Sequence, residues 1–263
     1  MGVKSEWLAE LWHYRELFWF LAWRDVKVRY KQAVLGAGWA VLQPLVSMIV
    51  FTVVFGRLTG IGDLDVPYPI FIYCALVPWT YFSGTLSQAG NSLVNNSNLI
   101  TKVYFPRVLL PASTAFGGLL DFLIGSAFLV VLMGYYRIHP TWALIFYPVL
   151  MVAMWMFAVG VSMWLAALNV RYRDVKYVIP FLIQIGLFVT PVIYPKTFVP
   201  ARLQPILALN PLAGLIEGFR ACLFPERQID FGLIGSSAAM ATGVFVASAI
   251  YFRRTERLFA DIV

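Results

Sequence analysis

Apolar residues run for about twenty positions at a time at six places in the chain, and the charged residues collect between the runs. Stretches free of Lys and Arg cover residues 35–55, 70–93, 108–136, 142–168, 178–194 and 231–252. A helix needs roughly 20 predominantly apolar residues to cross hydrocarbon, so each run predicts a membrane-spanning helix, the fifth being the shortest. A stretch punctuated by proline follows, residues 195–225, with two apolar pieces at 203–209 and 212–223 that are too short to span. Pro200, Pro205, Pro211 and Pro225 break helices there. The pattern predicts short amphipathic helices that dip toward the membrane from one face and are candidates for a gate or lid.

Residues 5–23, ahead of the first run, are rich in aromatics but interrupted by charge. Glu6, Glu10 and His13 fall at spacings of four and three beside Trp7, Leu8, Leu11 and Trp12, as on an amphipathic helix lying in the interface. A signal peptide does not fit, because the segment starts with mixed charge and has no small-residue cleavage site before the basic run 24–31. The predicted fold class is an all-α integral membrane protein of one domain, 1–263. It comprises a cytoplasmic interface segment (1–34), spans one to five (35–194), an external gate region (195–230), span six (231–252) and a cytoplasmic tail (253–263).

Composition agrees with that pattern. Hydrophobic residues make up 60% of the chain and charged residues 13%, whereas soluble domains carry about 45–50% and about 25%. A water-soluble enzyme domain is excluded. Cys74 and Cys222 support no disulfide framework. The net charge of +7 does not point to nucleic acid, since the cations sit in short segments between apolar runs. Six crossings put both termini on one side, and that side carries fourteen Lys and Arg residues against six on the other. The positive-inside rule then places both termini in the cytoplasm.

The chain contains no GxxxxGK[ST] phosphate loop, no GxGxxG and no metal-spaced Cys/His cluster. No catalytic, metal-ligating or cofactor-binding residue is therefore expected, and His13 and His139 lie on opposite predicted sides. Asp121, near the middle of the third span, is the one clear intramembrane ionisable group. It is either a functional charge or a hydrogen-bonded lock between helices, with Gly117, Gly118 and Gly125 allowing close packing. Between the second and third spans, the polar stretch 91–107 carries Leu99, Ile100, Val103, Tyr104 and Phe105, which reads either as a docking surface or as an ordinary interfacial loop. Arg24, Lys27, Arg29 and Lys31 are placed to meet a lipid pyrophosphate or simply to attract anionic lipid. Tyr73, Trp79, Tyr81, Phe82, Trp155, Phe157, Phe181 and Phe188 are mid-span aromatics. They are candidates to line a conduit, where flat rings suit sugar faces, or else ordinary packing.

Four ordered stretches carry a resemblance: 24–44 (RDVKVRYKQAVLGAGWAVLQP), 99–107 (LITKVYFPR), 169–177 (NVRYRDVKY) and 210–220 (NPLAGLIEGFR). Together they resemble the polysaccharide-export branch of the ABC-2 type permease family, membrane subunits that pair with a separate ATPase. The resemblance implies six spans behind an interface helix. It also implies a coupling helix at Asn96–Phe105, with Asn96, Leu99, Ile100, Lys102, Tyr104 and Phe105 as ATPase contacts, and a second contact at Arg171, Arg173 and Asp174. External gate helices fall in 195–225, and two copies form the channel.

ATP and magnesium belong to the partner ATPase, two copies of which are expected, and this chain binds no cofactor. The expected function is export of an undecaprenyl-linked polysaccharide of O-antigen type across the bacterial cytoplasmic (inner) membrane by a homodimer in membrane lipid. Teichoic acid is the rival cargo. From other classes, an ion-coupled carrier or flippase using Asp121 remains a rival, and a membrane glycosyltransferase is disfavoured because Asp174 stands alone among Arg171, Arg173 and Lys176.

Overall fold

The computed structural model describes residues 9–31, 35–56, 66–225 and 229–256. Outside them lie Glu6, Trp7 and Leu8 of the predicted interface helix, and Lys4, Arg57, Arg227 and Arg257 of the charge count. The described residues are helical apart from their connections, without strands.

Helix α1 (Arg15–Tyr30) is free of Gly and Pro, with Glu16 in its first turn and Lys27 and Arg29 in its last, which complements the helix dipole. It continues through the basic run 24–30, which the sequence reading leaves beside the interface helix. Gly36, at φ 48°, opens a 3-10 turn before α2 (Trp39–Phe51). That left-handed backbone is accessible to glycine at little cost and separates the interface helix from the first span.

The remaining elements are α3 (Tyr68–Ala89), α4 (Ser92–Asn95), α5 (Ser97–Lys102), α6 (Leu109–Tyr135), α7 (Tyr147–Arg171), α8 (Val175–Val189), α9 (Gln204–Ala208), α10 (Pro211–Leu223) and α11 (Phe231–Thr255). Among the described residues, five helical segments are long and apolar enough to cross a membrane: Gly36–Gly56, Tyr68–Ala89, Leu109–Tyr135, Trp142–Arg171 and Phe231–Thr255. They match five of the six predicted spans. The second ends at Ala89 rather than at 93 because the chain turns at Gly90 into α4. The fifth predicted span is α8, whose 15 residues rise only about 22 Å.

Interhelical bonds sort the loops into two ends. At one end Glu10 meets Tyr104, Arg107 meets Glu256, and Asn169 bonds Gly90 and Asn91. At the other, Tyr68 bonds the Ile193 carbonyl, Thr141 the Cys222 carbonyl, and Lys196 pairs with Asp230. Asp174, at the start of α8, belongs to the first end and Ile193, just past its finish, to the second. Despite its length, α8 therefore runs from end to end.

The core centres on α3, whose residues from Ile70 to Val77 are all buried among α6, α7 and α10. Pro78 leaves this helix one backbone donor short, and the Thr80 hydroxyl bonds the Leu76 and Val77 carbonyls nearby. Helix α6 ends in a Schellman turn, with Arg137 N–H donating to the Gly134 carbonyl and Ile138 N–H to that of Met133.

The segment 195–225 holds short helices, as the sequence predicts: α9 and α10. Helix α10 starts at Pro211 with Asn210 as N-cap, its side chain accepting from Leu212 N–H. Every residue from Leu212 to Phe224 is buried. It is a re-entrant helix enclosed by protein, the setting in which a short helix is tolerated at membrane depth, in keeping with a short helix that dips in from one face. A Cβ at Gly214 would stand 2.9 Å from the Leu233 carbonyl oxygen of α11, so α10 and α11 touch backbone to backbone.

Candidate functional site

A polar cleft of about 300 Å³ opens where the end of α1, the start of α2, the second half of α3 and the middle of α6 meet. Tyr30 and Arg29 on α1 both bond the Asp121 carboxylate on α6, and Arg29 also donates to the Gln88 side chain at 2.5 Å. Burial and the neighbouring carboxylate push the Tyr30 hydroxyl above its ordinary range, so it keeps its proton and donates it to the hydrogen bond. The lone intramembrane carboxylate of the sequence reading therefore has two partners from the interface helix. Arg29 is held between Asp121 and Gln88.

A second groove of about 510 Å³, lined by Arg24, Asp25, Gln88, Ser92, Asn95, Asn96 and Thr114, shares Arg29 and Gln88 with the cleft. Asp25 pairs with Arg24 at 2.8 Å and accepts from Thr114 at 2.8 Å. Lys27 lies 5.7 Å from the Trp23 ring and, like Lys31, is exposed. Trp12, Trp19, Phe20 and Trp23 are exposed along the same N-terminal stretch, as suits a helix at the headgroup level.

The loop 90–108 is two short helices with two different faces. Tyr104 is 80% exposed, and Val94, Asn95, Asn98, Lys102 and Val103 are exposed with it. Leu93, Ile100 and Phe105 are buried against Leu21, Val108, Leu109 and Val170, and Leu99 packs partly on the same cluster. Ile100 and Phe105 are thus anchors, not surface contacts as the sequence suggests. The Asn96 side chain donates back to the Ser92 carbonyl.

Two clasps hold this loop to the termini. The Tyr104 hydroxyl reaches the Glu10 carboxylate at 3.4 Å. Arg107 donates its backbone N–H to the Glu256 carboxylate at 2.5 Å and its guanidinium to the Glu256 carbonyl. Burial pushes the Glu256 carboxyl up, against the opposing pull of Arg107. Arg171, Arg173 and Asp174 are all exposed at the same end of the bundle.

The aromatic candidates divide. Tyr73, Trp79, Tyr81, Phe82 and Phe157 are buried in the core of the single chain. Phe82 stacks on Phe157 with centroids 5.4 Å apart, and Tyr81 donates to the Ala115 carbonyl. These five are packing residues, which corrects their placement in a conduit. Trp155 is half-buried beside Phe245. Phe181 and Phe188 are 60% and 56% exposed on the open face of α8.

A pair that sequence reasoning missed lies on α10. Arg220, fully buried and counted in the sequence as an external cation, bonds Glu217 at 2.7 Å and the carbonyls of Pro191 and Val192. It also lies 3.7 Å from the centroid of the Phe71 ring. The signal for it was Glu and Arg three residues apart in an otherwise apolar segment.

The description of the ABC-2 type transporter family matches residues 16–224. The chain is 30% identical over 259 residues to the O-antigen export system permease protein RfbA of Myxococcus xanthus, covering 97% of this chain and 98% of that protein. It is 28% identical to the protein of the same name from Klebsiella pneumoniae, over 91% and 92% of the two chains. To the polysialic acid transport protein KpsM of Escherichia coli it is 24% identical, over 90% and 93%. A helical bundle with both described ends on one side, a re-entrant helix on the other and this end-to-end similarity lead to one conclusion: the chain belongs to the ABC-2 type transporter family.

Proposed function

We propose that the chain is the permease subunit of an ATP-driven exporter that moves a lipid-linked polysaccharide of O-antigen type across the bacterial inner membrane. The observation that carries this reading is similarity along 97% of the chain to an O-antigen export permease. A separate ABC ATPase supplies ATP and magnesium chemistry, and two permeases with two ATPases form the working unit. Both termini face the cytoplasm.

The geometry supports a division of labour. Exposed Tyr104, Val103, Lys102 and Val94 form the face offered to the ATPase, with Arg171, Arg173 and Asp174 beside it. Ile100 and Phe105 transmit the push, because a buried anchor cannot slide without its neighbours moving. Arg107 and Glu256 carry the displacement to α11, and Asn169 carries it to α7 through Gly90 and Asn91. The exposed face of α8, with Phe181 and Phe188, is the surface left for the second copy and the glycan path. The re-entrant helix α10, locked by Glu217 and Arg220, closes the external end.

Co-purification of the chain with its ATPase, and ATP-dependent movement of lipid-linked glycan in vesicles, tests this reading. Transport driven by an ion gradient without the ATPase contradicts it.

A further inference from the structure

Arg24 and Arg29 of the interface helix are paired with Asp25 and Asp121, but Arg15, at the start of α1, makes no ion pair among the described residues. It is exposed, donates to the Trp12 carbonyl at 3.2 Å and lies 5.3 Å from the centroid of the Trp12 ring. A guanidinium has five donors, so most of its hydrogen-bonding capacity is left for another group. Arg15 also lines a hollow of about 290 Å³ whose other walls are aliphatic, aromatic and methionine side chains. Val159 and Met163, each 1% exposed, form the floor, which puts the exposed cation at the mouth.

Helices α1, α6, α7 and α11 supply the walls. The last two touch beside the floor, where a Cβ at Gly160 would stand 2.9 Å from the Phe245 Cα. Along α7 the wall runs from Met163 to Trp155, a rise of about 12 Å, close to the roughly 15 Å of hydrocarbon in one leaflet. Val108 and Leu109, also in the wall, follow directly on Arg107 and its bond to Glu256. The mouth therefore lies at the end of the bundle that carries the loop 90–108.

We propose that this hollow binds one acyl chain of an anionic phospholipid, whose phosphate is held by Arg15 at the headgroup level. The depth suits a chain from a single leaflet, the apolar walls suit methylene groups, and the unpaired cation at the mouth selects a negative headgroup. Wedged between Phe18 on α1 and Phe245 on α11, the lipid braces the helices on either side of the loop that faces the ATPase. Cargo is not the occupant, because α8, whose open face is left for the glycan path, supplies no wall residue among the described residues. The site goes beyond the export reading and does not depend on it.

The test uses the full chain with its ATPase in discs of phosphatidylcholine, with a trace of phosphatidylglycerol or phosphatidylcholine carrying a diazirine in mid-chain. Photoproducts are mapped by peptide mass spectrometry, and labelling of residues 155–163 and 245–249 is read against that of exposed Val130 and Val131 on α6. The phosphatidylglycerol probe should label the hollow about fivefold more than the phosphatidylcholine probe, the preference one cation near a charged headgroup supports. Arg15→Gln, an exposed change that leaves packing intact, should abolish the preference, and Arg15→Lys should keep most of it. Equal labelling by the two probes in the parent, or a preference that survives Arg15→Gln, overturns the proposal. Ala249→Phe fills the hollow from α11 and should lower labelling there with both probes, and unchanged labelling overturns the site. Farnesyl phosphate at the probe's concentration should leave labelling unchanged; if it displaces the probe, the occupant is a prenyl lipid and the assignment to a phospholipid falls.

Discussion

Tyr104 and Phe105 are neighbours in sequence with opposite surroundings, and truncating each should separate docking from folding. Phe105 is 3% exposed, and its ring fills a cluster with Leu21, Leu93, Ile100, Leu109 and Phe252. Phe105→Ala removes a buried aromatic and leaves a cavity, which costs about 3–5 kcal/mol in a core. The loop should lose its anchor and the purified protein its thermal stability. Tyr104 is 80% exposed, and its bond to Glu10 is long at 3.4 Å. Surface changes of this kind usually stay within about 0.5 kcal/mol of neutral. The same ring, if central to a protein interface, is worth about 2 kcal/mol or more of binding, about thirtyfold in affinity.

The assay is thermal unfolding of each variant in detergent, followed by titration with the ATPase subunit. Tyr104→Ala should melt near the parent and bind the ATPase at least tenfold more weakly. Equal melting of the two variants, or full ATPase affinity in Tyr104→Ala, refutes the assignment of faces.

Other expectations follow from the same packing. Gly214→Ala places a methyl group against the Leu233 carbonyl oxygen and should destabilise the protein by about 1–3 kcal/mol, read as a lower melting temperature. Arg220→Met removes the buried ion pair with Glu217 and should cost about 3–5 kcal/mol, with Glu217→Gln added to it recovering part of the loss. Phe82→Ala should lower stability, whereas Phe181→Ala, on an exposed face, should leave melting unchanged and slow glycan export in reconstituted vesicles. Asp230 caps α11, and its carboxyl is held below the usual range chiefly by the Leu233 N–H, helped by Lys196. A lowered carboxyl contributes stability that is present above its unfolded value and is lost as pH falls through the folded one. Asp230→Ala should therefore destabilise by about 1 kcal/mol at neutral pH and by less in acid, measured as melting temperature against pH.

Lengths of apolar runs made five spans legible directly, and α8 was readable as the short one because its charged flanks at Lys176 and Lys196 bound it. What composition does not carry is which face of an apolar helix meets protein and which meets lipid, since both are apolar. That is why Tyr73, Tyr81 and Phe82 read as conduit candidates although their rings pack from α3 against α6 and α7. The Arg29–Asp121 pair joins residues 92 positions apart, a separation across which spacing carries no signal. Glu217 and Arg220 were close enough to see, but on a helix read as amphipathic the pair reads as its polar face until α10 is found enclosed. The loop 90–108 was recognised as a whole, while the alternation of exposed Tyr104 and buried Phe105 depends on Leu21 and Phe252 arriving from opposite ends of the sequence.

The most direct test of the export reading is reconstitution of the chain with its ATPase in vesicles loaded with lipid-linked O-antigen glycan, followed by lectin detection of glycan on the far leaflet. On the export reading, glycan appears only with hydrolysable ATP and hydrolysis speeds up when glycan is present. Translocation that proceeds without the ATPase under an ion gradient, or hydrolysis indifferent to glycan with none moved, contradicts it.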